Sequence, residues 1–390
     1  MTGARLSALF VNYNSWRLCV DALLSLKNNP PTSADGKSMD YEVIVVDNCS
    51  PQRDREAEAD LETLLAVMRG RLIRHDENSG YAKGMNLALT HATGDWILVS
   101  NPDVLFLPDC LSLLLRHLET HPETGATTPE GYWDTSLESR LPPNILPTMG
   151  DLWALTFAGL SPRFTRRYSE RRTRTALPIW EATGDVDLPM LSGCCFLMRR
   201  STIHEMGFFD EDFPLYYEDT DLSMRMRKKN LKIVQVAGAK LVHFYNRSGQ
   251  TDMQETMSRY WVSRRRFYKK WYGWVGRLSY AVSRKLLGTS WAKKHSASPH
   301  PTIHDLGTGA QKPVIRLDRP RDRFLVELAL DPNFYLAAAM FGSGDTWTPG
   351  DELFANFGDV DYFFRVVDLT NGKREQVGIY KYRMTQADHG

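Results

Sequence analysis

The sequence predicts an α/β protein with a mostly parallel central sheet, followed by a basic helical segment and a small all-β domain. In the first 130 residues, apolar runs of strand length alternate with stretches of helical spacing. The runs YEVIVV (41–46) and WILVS (96–100) are almost wholly apolar, which is typical of strands buried on both faces of a parallel sheet. After residue 313, short aromatic and β-branched runs alternate with turn residues, which is typical of an all-β module.

Each element of the N-terminal region follows from its own pattern. Strands are expected at 6–11, 41–46, 72–75 and 96–100. Helices are expected at 15–27, 60–69, 81–91 and 108–120, the last with a proline near its start, where it is tolerated. In such folds ligands bind beyond the carboxyl ends of the strands, so residues that follow each strand are the candidates for chemistry.

Composition divides the chain into four segments. They are the α/β domain at 1–255, a basic aromatic helical segment at 256–295, a linker at 296–312 and a small β-sandwich-like domain at 313–390. Within the first segment, residues 131–190 hold six prolines and an arginine-rich run, and we expect them to form a mobile excursion. The C-terminal aromatic residues are expected to be mainly core, with a carbohydrate platform or dimer packing as alternatives.

Charge and cysteine content exclude several classes of protein. Lys and Arg number 48 against 47 Asp and Glu, so the chain lacks a general basic field for nucleic acid. The five cysteines form neither a disulfide framework nor a zinc pattern and suit a reducing cytoplasm. The N-terminal apolar run is too short for a signal peptide, and we expect no membrane-spanning helix.

Polar residues follow the first three predicted strands of this series. Asn12, Tyr13 and Asn14 follow the first strand, and Asp47 and Asn48 follow the second. An amide and a carboxylate there can hydrogen-bond a nucleobase or a ribose, although helix capping is the simpler alternative. The stretch NSGYAKGMN (78–86) has glycines that permit close backbone approach and a lysine at a helix start, which suits a diphosphate.

Two further motifs concentrate charge. Asp103, in SNPD (100–103), can hold a divalent cation, which needs only one or two protein ligands because it keeps several waters. The alternative is that SNPD forms only an Asx turn beginning at Asn101. His243 becomes a candidate metal ligand only if the fold brings it close to Asp103. The carboxylates of Glu218, Asp219 and Asp221 repel one another, which indicates a nearby cation or a functional role. The alternative is an acidic first turn of a helix, which the helix dipole favours.

Taken in order, these motifs resemble glycosyltransferase family 2, an inverting family with the GT-A fold, and are most similar to its bacterial rhamnosyltransferase-like branch. The resemblance covers roughly residues 5–270. It is carried by VNYN (11–14), VVDNCS (45–50), NSGYAKGMN (78–86), SNPDV (100–104), SGCCFLMRR (192–200), FFDEDFPLYYEDTDLSMR (208–225) and VHFYNRSG (242–249).

The resemblance implies a nucleoside diphosphate sugar donor and a Mg²⁺ or Mn²⁺ ion. The donor residues it implies, with Asn14 added from the same motif, are Asn12, Tyr13, Asn14, Asp47, Asn48, Asn78, Gly80, Lys83, Asn86 and Asn101. It implies Asp103 and His243 as metal ligands, Asp219 as the general base, and Ser192 and Gly193 on the acceptor side.

The expected reaction is transfer of one sugar, with rhamnose from a dTDP donor as first choice, to a hydroxyl of a growing bacterial surface glycan. Asp219 would remove the acceptor proton, and Glu218 and Asp221 would orient the base or bind acceptor hydroxyls, unless they form a solvated acidic patch. A galactofuranosyl or other hexosyl UDP donor stays open. A sugar nucleotidyltransferase and a non-catalytic glycan-binding or scaffold protein are less favoured.

The expected partners are the sugar donor and an oligosaccharide or lipid-linked acceptor, with no nucleic acid. The helical segment RYWVSRRRFYKK (259–270) interleaves cations with aromatics, which suits peripheral contact with the inner face of an anionic membrane. A helix packed by its aromatics with a solvated basic face is the equal alternative, and a homo-oligomer stays open.

Overall fold

The computed structural model describes residues 5–33, 36–244, 253–296, 300 and 302–385. Two compact units emerge. Unit 1 comprises Met1–Gly131, Asn144–Leu146 and Ala182–Arg277, and unit 2 comprises Tyr132–Pro143, Pro147–Glu181 and Leu278–Gly390. Unit 2 therefore takes in a stretch of chain that sequence composition grouped with the α/β domain.

Fourteen strands are found among the described residues. Nine form the larger sheet: β1 Arg5–Asn12, β2 Asp40–Asp47, β3 Arg71–Arg74, β4 Trp96–Ser100, β5 Val104–Phe106, β6 Thr124–Tyr132, β7 Val186–Asp187, β8 Cys195–Arg199 and β9 Lys232–His243. Five form the smaller sheet: β10 His304–Gly309, β11 Ile315–Ala329, β12 Ala338–Trp347, β13 Asp361–Asp368 and β14 Glu375–Met384.

Eleven α-helices occur in the same described ranges. The first six are α1 Trp16–Asn28, α2 Arg55–Val67, α3 Tyr81–His91, α4 Cys110–Thr120, α5 Met149–Ala158 and α6 Pro162–Trp180. The remaining five are α7 Arg200–Met206, α8 Glu218–Lys228, α9 Met253–Leu287, α10 Ser290–Ser296 and α11 Asp351–Ala355. No helix in this part of the chain has both the length and the apolar character needed to cross a bilayer.

The larger sheet has a parallel half and an antiparallel half. Strands β3, β2, β1 and β4 lie side by side and parallel, as the apolar runs of β2 and β4 predicted. Strand β8 then pairs antiparallel with β4, and β6, β9 and β5 complete the order. The α/β class is confirmed, with a large sheet that is parallel across β3, β2, β1 and β4 and with a separate small β domain.

Helices cover both faces of the parallel half. Along β1, Leu6, Ala8 and Phe10 pack into one core cluster, and Leu9 and Val11 pack into another. The first cluster includes residues of α1, α2 and α4, and the second includes residues of α3 and α8. In the strand order, β2 lies on one side of β1 and β4 lies on the other, so the order reverses at β1. The carboxyl ends of β1 and β4 therefore flank the crevice where such sheets bind ligands.

Unit 2 contains the smaller sheet, in the order β10-β14-β13-β11-β12. Its aromatic residues are mostly core: Phe334, Trp347, Phe357 and Tyr362 are buried. This agrees with the favoured expectation for these aromatics. Strand β10 lies inside the stretch 296–312, for which the composition predicted a linker.

The expectation of a mobile excursion at 131–190 is wrong for the part that forms α5 and α6. Residues at helical spacing on α6, among them Tyr168, Arg172 and Trp180, are buried. Arg172 donates to the Tyr335 carbonyl, and the buried Arg365 donates to Glu327 over 2.7 Å. The arginine-rich sequence did not predict this packed helix, because composition does not distinguish arginines that pack and bond internally from arginines that face solvent.

Candidate active site

The first cluster of site residues joins the ends of β1 and β2. Asn12 donates from Nδ2 to Asp47 Oδ1 over 3.0 Å, and Ser50 Oγ donates to the same oxygen over 2.5 Å. The Asn14 backbone N–H donates to Ser50 Oγ over 2.9 Å. Asn12 and Asp47 are buried. These bonds fix the two loops, and the partly exposed Tyr13 lies between Asn12 and Asn14.

A pair of amides links this cluster to the start of α3. Asn48 donates from Nδ2 to Asn78 Oδ1 over 3.0 Å, and the Ser79 backbone N–H donates to Asn48 Oδ1 over 3.2 Å. Arg259, on α9, donates to Asn78 Oδ1 over 3.3 Å. Arg259 is a residue that the sequence analysis did not assign to the site, although its basic aromatic segment was noted.

Two residues of the glycine-containing stretch pack against the segment before α8. Gly80 has φ +91°, and a Cβ added there would lie 2.5 Å from the Pro214 carbonyl oxygen. Asn86 donates from Nδ2 to the Phe209 carbonyl over 3.0 Å and to Glu211 over 2.9 Å. This packing accounts for the glycine and for Asn86 without a ligand. Their predicted donor contacts, and that of the exposed Lys83, stay predictions.

Asp103 and His243 meet, as the sequence analysis required of a metal site. Strand β5 pairs with β9 so that Val104 lies opposite His243. His243 Nε2 lies 3.2 Å from Asp103 Oδ1, and both side chains are buried. The rest of the VHFYNRSG motif, 245–249, lies outside the described residues.

A thiol that sequence reasoning missed, Cys194, completes the surroundings of His243. Burial by itself lowers the pKa of His243, but Cys194 and the Asp103 carboxylate raise it to about 10. Ser192 Oγ lies 3.1 Å from Cys194 Sγ. The motif SGCC that precedes β8 was the available signal, but it was assigned only to the acceptor side.

A buried carboxylate and an imidazole side by side suit a hard or borderline divalent cation. Within the described ranges no group of three or more His, Cys, Asp or Glu forms a metal cluster. Asp103 and His243 would therefore supply two ligands, and a bound cation would displace the imidazole proton. This donor set fits an ion that keeps water or ligand oxygens in its other positions.

The acidic residues lie in the first turn of α8, after an unusual backbone. Tyr216 and Tyr217 both have left-handed φ values, 59° and 70°, which are rare for bulky residues. The Tyr217 ring is buried against Phe267, with centroids 5.3 Å apart. This packed, strained turn sets the direction in which Glu218 and Asp219 leave the chain.

Asp219 is held as a hydrogen-bond acceptor beside the acceptor-side loop. The Gly193 backbone N–H donates to Asp219 Oδ2 over 3.1 Å, and the Thr220 backbone N–H donates to Oδ1 over 2.6 Å. Burial raises the pKa of Asp219, and these bonds oppose the rise. A Cβ on Gly193 would lie 3.0 Å from Asp219 Oδ2, so a glycine permits this approach.

Glu218 is buried more deeply than Asp219. Its Oε2 has no hydrogen-bond partner among the residues that the structure describes. Burial, and then the charge of Asp219, raise the pKa of Glu218 well above its ordinary value. Because backbone N–H groups donate to both oxygens of Asp219 and Glu218 Oε2 has no described donor, these contacts favour the negative charge on Asp219 over one on Glu218.

Asp221 is paired on both of its carboxylate oxygens. Its Oδ2 accepts from Arg225 Nε over 2.9 Å, and its Oδ1 accepts from Trp271 Nε1 over 2.9 Å and pairs with Lys270 Nζ at 2.6 Å. The side chain is fully buried. Asp221 therefore ties α8 to α9, and the expectation that it orients the base or binds acceptor hydroxyls stays a prediction.

The loop 192–194 contacts both the acidic pair, Glu218 and Asp219, and the candidate metal pair, Asp103 and His243. Gly193 contacts Asp219, while Cys194 lies beside His243, and the Asn101 backbone N–H donates to the Cys194 carbonyl over 2.8 Å. Tyr81, at the start of α3, donates from its hydroxyl to the Gly193 carbonyl over 3.3 Å. A candidate base, a candidate metal pair and α3 thus converge on three consecutive residues.

The model of glycosyl transferase family 2 matches residues 7–207. An N-acetylglucosaminyl-diphospho-decaprenol L-rhamnosyltransferase of Mycobacterium tuberculosis is 28% identical over 193 residues, which cover 44% of this chain and 58% of that protein. The O-antigen biosynthesis protein RfbC of Myxococcus xanthus is 26% identical over 269 residues, covering 67% of this chain and 18% of that protein.

Among solved structures, the mannosyltransferase PcManGT from Pyrobaculum calidifontis, in complex with GDP-Man and Mn²⁺, aligns with a TM-score of 0.43 and 13% identity. The alignment covers 75% of this chain and 78% of that one. The chain thus spans about three fifths of the rhamnosyltransferase and under one fifth of RfbC.

Proposed function

Because the chain belongs to glycosyltransferase family 2, we propose that it is an inverting, metal-dependent transferase that moves one sugar from a nucleoside diphosphate donor to a hydroxyl of a bacterial surface glycan. The observation that carries the proposal is the loop 192–194, which contacts Asp219 on one side and lies beside His243 on the other. Transfer to a hydroxyl requires a base and a site for the cation, and here a candidate for each lies against the same loop.

Asp219 is the proposed general base. Its carboxylate accepts from the Gly193 and Thr220 backbone N–H groups, which fixes its direction, and its side chain is partly exposed. It would take the proton of the acceptor hydroxyl as that oxygen attacks the anomeric carbon from the face opposite the leaving group. Glu218, protonated beside it, would leave the pair with a single negative charge.

Asp103 and His243 are the residues proposed to hold the divalent cation. When bound, Mg²⁺ or Mn²⁺ would stabilise the negative charge that the leaving diphosphate gains. The burial of Asp103 supports this assignment, because an ionised buried carboxylate needs a compensating positive charge. In the absence of a cation, that charge belongs to the His243 imidazolium.

We propose dTDP-rhamnose as the donor and a diphospho-lipid-linked N-acetylglucosamine as the first acceptor to assay. The support is the similarity to a mycobacterial rhamnosyltransferase whose name specifies that acceptor. A galactofuranosyl or other hexosyl donor carried by UDP is the alternative, because fold and family do not fix the sugar.

Thermal melting with nucleotides tests the donor first. The full chain would be melted with Mn²⁺ and, in turn, dTDP, UDP and GDP. A ligand that binds only the folded state at 100 times its Kd adds about 2.7 kcal/mol, so the preferred nucleotide should raise Tm by several degrees.

We expect the largest metal-dependent shift with dTDP. A larger shift with UDP would discard dTDP-rhamnose and keep the transferase. If none of the three nucleotides shifts Tm, with or without Mn²⁺, the proposed donor site is contradicted and a non-catalytic role is favoured.

A further inference from the structure

Unit 2 exposes three aromatic side chains around the short turn between α5 and α6. Phe157, in the last turn of α5, is 47% exposed, Phe164, in the first turn of α6, is 45% exposed, and Trp291 on α10 is 63% exposed. The rings of Phe157 and Phe164 have centroids 6.1 Å apart. We call Phe157, Phe164 and Trp291 the aromatic tip.

Hydrogen bonds hold the turn that carries the aromatic tip. Trp291 Nε1 donates to the Leu160 carbonyl over 3.1 Å, which brings α10 against the turn. Thr165 Oγ1 donates to the Ala158 carbonyl over 2.6 Å, and Thr156 Oγ1 lies 2.6 Å from Ser283 Oγ on α9. The exposed rings are therefore presented by a fixed scaffold of four helices.

The helices around the tip carry a large excess of positive charge. Residues 149–174 and 278–294 contain ten cations and two acids. The cations are Arg163, Arg166, Arg167, Arg171, Arg172, Arg174, Arg284, Lys285, Lys293 and Lys294, and the acids are Asp151 and Glu170. Asp151 is paired with Arg171, at 3.0 Å. Arg163, Arg167 and Lys294 are exposed near the tip.

We propose that the aromatic tip and its surrounding cations bind the surface of an anionic lipid bilayer. Exposed Trp and Phe partition into the interfacial region of a bilayer, and nearby Lys and Arg are attracted to anionic headgroups. A protein partner is less suited, because the centre of a protein interface is depleted in lysine and would have to match Arg163, Arg167 and Lys294 individually. This surface differs from 259–270, on which sequence analysis based the membrane expectation.

Vesicle sedimentation tests the proposal without any activity readout. The full chain would be sedimented with vesicles of phosphatidylcholine alone and with vesicles that contain about 30% phosphatidylglycerol. The buffer would hold about 0.1 M salt, at which electrostatic interactions are screened over about 10 Å. We expect binding to the anionic vesicles only, and weaker binding in 0.5 M salt.

Two variants separate the aromatic and electrostatic contributions. The triple variant Phe157→Ala, Phe164→Ala and Trp291→Ala is expected to lose at least tenfold in partitioning. The variant Arg163→Gln, Arg167→Gln and Lys294→Gln is expected to lose about 100-fold, since each cation near an anionic surface contributes roughly fivefold.

The matched controls remove equivalent groups elsewhere. Leu330→Ala with Leu336→Ala removes exposed apolar side chains, and Lys27→Gln, Arg71→Gln and Arg116→Gln removes three exposed cations. Both controls should bind as the parent does, and circular dichroism melts verify folding of every variant. Equal binding by the aromatic variant overturns the proposal. A parent that fails to bind anionic vesicles but forms a dimer that the aromatic variant abolishes also overturns it, in favour of a protein interface.

Discussion

Replacing Glu218 by glutamine is expected to stabilise the protein at neutral pH and to leave its stability near pH 4 almost unchanged. Burial and the neighbouring Asp219 raise the pKa of Glu218 well above its ordinary value, and Oε2 has no described partner. As pH rises above the ordinary glutamate pKa, the unfolded chain releases this proton and the folded chain keeps it. Stability is therefore lost with rising pH until the folded pKa is reached.

The size of the effect follows from proton linkage. One retained proton changes the free energy of unfolding by about 1.4 kcal/mol per pH unit. Between pH 5 and pH 7 the advantage of Glu218→Gln should therefore grow by up to about 2.7 kcal/mol, the amount that corresponds to one proton retained by the folded chain over the whole interval. For domains of this size that corresponds to roughly 5–10 °C in Tm.

Differential scanning calorimetry from pH 4 to pH 8 measures the difference in Tm between parent and variant. The control is Glu205→Gln, which changes an exposed glutamate and should give a small difference throughout. A Glu218→Gln difference that does not grow with pH would refute the reasoning, because Glu218 would then be ionised in the folded protein.

Three other predictions concern packing, charge and metal. In urea unfolding, Gly80→Ala should lower the free energy of unfolding by roughly 1–3 kcal/mol more than Gly344→Ala does. Both glycines have φ near 90°, but only at Gly80 would the added Cβ lie 2.5 Å from a carbonyl oxygen. Equal losses in the two variants would show that this clash does not occur. Asp221→Asn should lower the free energy of unfolding by roughly 3 kcal/mol. The control Asp359→Asn, at an exposed ion pair, should lower it by less than about 1 kcal/mol. Similar losses in the two variants would mean that the ion pairs of Asp221 do not stabilise the fold. Asp103→Ala should abolish the Mn²⁺-dependent part of the nucleotide Tm shift, which EDTA should also remove from the parent; a retained shift would place the cation elsewhere.

The parallel half of the sheet was predictable because its signals are local. The apolar runs of β1, β2 and β4 and the helical spacing of α1 and α3 are written in consecutive residues. Strands β5 and β6 were missed: β5 has only three residues, and β6 (TGATTPEGY) is largely polar and contains a proline. Their existence depends on pairing with β9 and β8, which no local pattern reports.

Within the site, residue types were predictable and contacts were not. Asp103 and His243 could be named as candidates, but their 3.2 Å approach depends on the pairing of β5 with β9. Asp221 resembled Asp219 in sequence because both lie in one acidic turn, and only Arg225, Lys270 and Trp271 distinguish it. Arginines of α6 likewise gave no sign of which would be buried.

The assignment of Asp219 as the base is tested most directly by the kcat of Asp219→Asn for sugar transfer, measured with the donor that the nucleotide panel selects. General-base catalysis contributes about 10²–10⁴-fold, so kcat should fall by that factor while the Tm shift with nucleotide and Mn²⁺ stays that of the parent. An unchanged kcat would contradict the assignment of Asp219 and the reaction geometry built on the loop 192–194.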